Sequence, residues 1–128
     1  MIYLDTSVAL AHLLAEDRVP PPRLWARELV SSRLLEYEVW TRIHARGLGD
    51  SHGDAVRALV GRLALIEMIG PVLARAQEPF PFPVRTLDAL HLASIEFLRE
   101  SVPRIELASY DVRQVSAARK LKIPLFRL

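Results

Sequence analysis

Apolar residues along the chain follow two rhythms: short unbroken runs, and longer stretches spaced by three or four. The run at Ile2 to Leu4 has the length of a strand buried on both faces. Ile105 to Tyr110 and Ile123 to Phe126 also read as strands, and Leu65 to Met68 as a strand rather than the tail of the preceding helix, a choice that short apolar runs leave open. Between them the spacing is helical. Val8, Leu10, Leu13 and Leu14 form one such set, and Leu24, Trp25 and Leu29 another, with Pro22 placed to begin it. SRLLEYEVWTRIHARG reads as a helix capped by Ser32 and stopped by Gly47, followed by a GLGDSHGD loop and a helix over roughly Asp54 to Arg62. Leu87, Leu90, Ile95 and Leu98 predict a helix capped by Thr86, and a last helix covers Asp111 to Leu121.

This alternation predicts an α/β fold, a three-layer α/β/α sandwich around a mainly parallel sheet of about five strands. The Pro20 to Pro22 run is a connector within it, so residues 1–128 are expected to form a single domain. Sheets of this kind carry their sites at the carboxyl ends of the strands. Asp5 and Asp111 each end a predicted strand and should emerge on that edge.

Composition narrows the chemistry. The chain is 51% hydrophobic and 25% charged, so it has material for one core and is not a disordered adaptor. Seventeen Lys+Arg against fifteen Asp+Glu leave a formal +2, which permits nucleic acid without demanding it. With no cysteine, disulfides, thiolate metal sites and thiol catalysis are excluded, and any metal must be held by oxygen or imidazole. No window approaches the roughly 20 apolar residues that cross a bilayer, so no membrane partner is expected and the cytoplasm is the default location.

Four acids stand out: Asp5, Asp88, Asp111 and Glu38. Each aspartate has a structural reading as a helix cap or a complement to a helix dipole. For Asp5, capping through the carboxylate would compete with a ligand role. Glu38 lies in a strongly apolar helix, with Arg42 at i+4 as a possible partner. Glu36 lies about 200° away round the same helix, and periodicity does not choose between the two. Convergent carboxylates need a proton or a cation to relieve their repulsion, and magnesium or manganese leaves positions open for phosphate oxygens. Metal-assisted phosphodiester hydrolysis is the chemistry that follows.

MIYLDTSVAL, RTLDALHLAS and ASYDVRQVSAARKLKIP, in that order, resemble the PIN domain, and within it the VapC-like toxins of type II toxin-antitoxin pairs. The resemblance spans nearly the whole chain. It implies a Mg2+- or Mn2+-dependent endoribonuclease with an RNA substrate and a cognate VapB-like antitoxin. It carries the acidic ligands onto Asp5, Asp88 and Asp111, and onto Glu38, six residues after Ser32 and just before Val39. A homodimer is the family habit. The chain departs from the pattern at Lys122, where the family often has glycine, at Ser109 in place of a threonine, and at the Pro-Phe-Pro-Phe-Pro stretch from Pro79 to Pro83, which reshapes the loop beside Asp88.

Other residues have plainer readings. His91, one helical turn after Asp88, is expected to be a packed or hydrogen-bonded core histidine rather than a ligand, since hard metals favour oxygen. DSHGD reads as a loop and helix start. Arg42, Arg85 and Arg113 are placed to meet an RNA backbone or simply to be solvated. Trp25, Tyr37 and Trp40 are core or interface residues rather than base-stacking platforms. Two other classes stand beside the nuclease: phosphotransfer on Asp5, which wants a second acid where this chain has Ser7, and a non-catalytic PIN-like module that binds RNA or protein.

Overall fold

A computed structural model describes all of residues 1–128. Four parallel strands, β1 (Ile2–Leu4), β2 (Leu29–Ser32), β3 (Ala64–Ile66) and β4 (Glu106–Ala108), form one sheet in the order β3-β2-β1-β4. Seven helices surround it: α1 (Thr6–Leu13), α2 (Pro22–Trp25), α3 (Arg33–Ala45), α4 (Gly49–Val60), α5 (Gly70–Gln77), α6 (Thr86–Arg99) and α7 (Val112–Lys120).

Alternation along the strands divides the core into two layers. From β1, Ile2 and Leu4 pack with Val8, Leu35, Val39, Ile43, Val56 and Leu59 of α1, α3 and α4. Tyr3 points the other way, into Leu92, Ile95, Ala117 and Ala118 of α6 and α7. Both faces of β1 are therefore covered, which is why its sequence is an unbroken apolar run. The three-layer expectation holds.

Several expectations change. The sheet has four strands rather than about five, because Ile123 to Phe126 meets β4 only at a bridge from Leu125 to Leu107. Pro124 has no N–H to extend a ladder, and the Ile123 N–H is already bonded to Ala118 O at 2.8 Å. Leu29 belongs to a strand and not to the helix begun at Pro22, which stops at Trp25. The expected GLGDSHGD loop is largely helical, since α4 starts at Gly49 and Gly53 is buried near Trp40. Helix α5, of which only Val72 is buried, is absent from the sequence reading. Thr86 is the first residue of α6 and not its cap.

Lys122 explains one departure from the family pattern. Its φ is +58°, the left-handed region, and its N–H bonds Arg119 O at 3.0 Å while the next N–H reaches back to Ala118. This is a Schellman ending, a position that favours glycine. Gly47 ends α3 the same way at φ +65°. Lys122→Gly is expected to stabilise the fold by about 0.5–1 kcal/mol, the relief of a left-handed side chain less glycine's added chain entropy. The check is a higher urea midpoint at unchanged m-value.

Candidate active site at the carboxyl edge of the sheet

Parallel strands deliver β1, β2 and β4 to the same edge, and the chain turns there into α1, α3 and α7. Each turn is closed by a side chain accepting from the new helix: Asp5 from Ser7 N, Ser32 from Leu34 N, and Asp111 from Arg113 N and Gln114 N. The capping reading of Asp5 and Asp111 is thus correct for both. It does not exhaust either carboxylate.

All the bonds to Asp5 fall on Oδ2, which accepts from Ser7 N at 3.3 Å, Ser7 Oγ at 2.5 Å and Ser109 Oγ at 2.9 Å. Oδ1 has no protein donor. In Asp111 only Oδ1 is engaged, at 2.9 Å from Arg113 N and 3.4 Å from Gln114 N. Glu38 uses Oε1 alone, which takes the Thr6 hydroxyl at 3.0 Å and His91 Nε2 at 2.6 Å. Asp88 has no hydrogen bond on either oxygen. Three acids thus spend one oxygen on the protein and keep one free, and the fourth keeps both.

Ser109, marked in the sequence as a departure from the family's threonine and not expected to touch a proposed ligand, does touch one. Its hydroxyl donates to Asp5 and accepts from Asp111 N at 3.0 Å, while Ser7 Oγ accepts from Tyr110 N at 3.0 Å. The two serines lock the β1–α1 turn to the β4–α7 turn. The sequence signal was a hydroxyl two residues before Asp111, at a position where the family has threonine.

Glu36 and Glu38 separate cleanly. Glu36 pairs with Arg33 at 2.6 Å on the outer side of α3, and Arg33 also holds Glu67 at 2.7 Å. Glu38 turns inward to His91 rather than to Arg42. His91 is 2% exposed and bridges two layers, with Nδ1 at 2.8 Å from the buried Tyr3 hydroxyl. An ionised carboxylate only accepts, so the neutral imidazole carries its proton on Nε2 towards Glu38 and accepts from Tyr3 at Nδ1, while the charged imidazolium donates from both nitrogens. Burial works against charging this imidazole, but the bond to Glu38 and the negative charges of Asp5, Glu38 and Asp88 outweigh it and raise its pKa. Tyr3 is held protonated by its burial, reinforced by the charge of Asp5.

Asp88 sits in the first turn of α6, half-buried. Its pKa is raised by partial burial and then by the charges of Asp111 and Asp5, against weaker relief from His91 and Arg85. Three carboxylates therefore share one electrostatic field. No three Asp, Glu or His side chains lie close enough to enclose an ion between them. The donor set is all oxygen, with unpaired lone pairs and surplus negative charge. That suits a hard divalent ion that keeps much of its water, and does not suit an enclosed cage.

Two clefts flank the acids. One, of about 650 Å3, is lined by Ser7, Asp111, Tyr110, Arg18, Arg42 and Arg46, among others. Arg18 donates to Tyr110 O at 2.7 Å and lies over the Tyr110 ring. The other, of about 540 Å3, includes Asp88, Arg85 and Arg113 in its wall. All three arginines singled out in the sequence line these clefts. Tyr37 is exposed, whereas Trp25 and Trp40 pack partly against the core. No helix is long and apolar enough to cross a membrane.

The PIN domain family matches residues 2–120. The chain is 34% identical to ribonuclease VapC46 of Mycobacterium tuberculosis over 123 residues, covering 94% of this chain and 92% of that protein. It is 27% identical to ribonuclease VapC47 over 128 residues, covering 94% and 92%, and 30% identical to ribonuclease VapC35 over 129 residues, covering 96% and 93%, both from the same species. Among solved structures, a toxin-antitoxin complex from Klebsiella pneumoniae superposes with a TM-score of 0.68 over 91% of each chain at 17% identity, a likeness of fold.

Proposed function

This chain belongs to the PIN domain family, and from that premise we propose that it is a metal-dependent endoribonuclease, the toxin of a toxin-antitoxin pair, hydrolysing RNA phosphodiester bonds. The observation that carries the reading is the division of labour within the carboxylates. Asp5, Glu38 and Asp111 are each anchored through one oxygen with the other free, and Asp88 keeps both. Caps and core contacts alone would not need an unpartnered acid at Asp88, where burial and like charge make ionisation costly.

Asp5 and Asp88 would be the principal holders of Mg2+ or Mn2+, with Glu38 and Asp111 completing the set. When bound, such an ion lowers the pKa of a water and offsets charge on the phosphate. The chain's own residues do the positioning. Ser7 and Ser109 fix the plane of Asp5, and Thr6 with His91 holds Glu38 so that no rotamer search precedes each turnover. Arg42 and Arg46 on one side, with Arg85 and Arg113 on the other, supply cations to an RNA backbone crossing the edge. In the reaction a water oxygen bonds to phosphorus as the bond to the leaving ribose oxygen breaks, and that oxygen is protonated. A cytoplasmic homodimer silenced by a VapB-like antitoxin is the assembly that goes with this reading.

The test is cleavage of a panel of structured RNAs by the purified chain with magnesium or manganese, beside an Asp5→Asn control. Cutting that needs the metal and disappears in the control is expected. No cutting beyond the control, together with unchanged RNA binding, would leave a non-catalytic module instead.

A further inference from the structure

The cleft of about 540 Å3 beside Asp88 has a feature that the carboxylate chemistry does not use. Gln114 lines it from α7 and is 1% exposed, yet neither Oε1 nor Nε2 has a hydrogen-bond partner. An unpaired buried amide costs stability, and native interiors rarely retain one without a reason. Around it the wall carries Arg85, Arg113 and Lys120, three exposed cations against the single charge of Asp88. Phe82, from the Pro79 to Pro83 stretch, closes another part of the wall, with Lys120 Nζ 5.1 Å from its ring centroid. The unusual proline stretch therefore helps to shape this cleft.

Resting on the ribonuclease reading above, we propose that this cleft is a nucleotide subsite for the RNA strand next to the scissile phosphate, and that Gln114 recognises an adenine base there. The cations meet phosphate, which positions the strand without reading it, and the amide supplies the reading. An amide offers one donor and one acceptor side by side. Adenine presents a matching acceptor and donor on both its Watson–Crick and its Hoogsteen edges, whereas the other bases do so on one edge only. For this the amide, buried in the free protein, must turn towards the base through its own side-chain torsions. Gln114 is then a specificity residue: binding gives it the partners that the free protein withholds.

The experiment compares binding of short single-stranded RNAs made of A, C or U alone, by fluorescence anisotropy with magnesium. It uses the full chain in the Asp5→Asn background, so that no strand is cut. The A strand is expected to bind roughly tenfold more tightly than C or U. Adding Gln114→Leu removes that preference, and Gln114→Met does the same, while neither lowers the melting temperature, because each removes two unpaired polar atoms from the interior. Equal affinities with Gln114 in place, a preference for C or U, or an adenine preference that survives both substitutions overturns the subsite. Failure of the unaltered chain to cut any RNA is a separate measurement and counts against the ribonuclease reading alone.

Discussion

In chelator the Asp88→Asn protein is expected to melt at a higher temperature than the unaltered chain, although its metal-dependent RNA cleavage falls on the order of a thousandfold. Two effects oppose each other at this position. A carboxylate in the first turn of a helix gains about 0.3–1 kcal/mol from the helix dipole. Partial burial and the charges of Asp111 and Asp5 act against it, and the raised pKa shows that they win. The sign then follows from linkage. A folded pKa above the unfolded value means that the native state binds the extra proton between the two, so stability falls as pH rises through that window and the penalty is complete above it. The advantage of asparagine should therefore be full at neutral pH and vanish in acid, where Asp88 is itself protonated. Magnesium or manganese should reverse the order, stabilising the unaltered chain and not the variant. A melting temperature in chelator that is lower for Asp88→Asn at neutral pH would refute this account of the electrostatics.

The second large effect is on stability. His91→Ala is expected to cost on the order of 3 kcal/mol, because it opens a cavity beneath α6 and strips the buried Tyr3 hydroxyl of the His91 nitrogen that it meets. Tyr3→Phe in the same background should recover part of that loss, since it removes a buried hydroxyl that has lost its His91 partner. Introduced alone into the unaltered chain, Tyr3→Phe should destabilise. That change of sign is what a shared network requires and what independent sites would not produce. Cleavage should fall as well, with Glu38 left to Thr6 alone. Because this acts through positioning, kcat should drop more than KM rises. A double-mutant cycle in urea gives the stability coupling, and steady-state kinetics give the second part.

Much of this protein is legible from short segments, because short segments contain the whole cause. Ile2, Tyr3 and Leu4 are apolar without interruption because β1 has a layer on each face, and Gly47 stops α3 because the ending needs a left-handed residue. The strand-end rule puts Asp5 and Asp111 on one edge, where both are found. Misreadings fell where local signal and tertiary demand diverge. Leu29 continues a helical spacing from Leu24 and Trp25, but it is pulled into a strand paired with Ile2. The Gly- and Asp-rich segment near Gly53 looks like a loop, yet it is helical where α4 packs on α3 at Trp40. Phe126 donates to Leu107 O at 2.9 Å like a strand residue, but the proline before Leu125 prevents a fifth ladder.

Sequence alone determined the fold class and the edge on which the strand-end aspartates emerge, because periodicity, caps and strand ends act within a turn or two of chain. Tertiary structure decided which contacts each acid makes. It sent Glu36 to Arg33 at the surface and Glu38 to His91 in the interior, and it linked His91 to Tyr3 across 88 residues of sequence. At Asp5 it put the cap and the serine bonds on one oxygen and left the other without a protein donor. That outcome depends on Ser109, 104 residues further along the chain, arriving within 2.9 Å of one oxygen and leaving the other bare. Hydrogen bonds are made by distance and angle in space, and a chain read in order contains neither until it has folded.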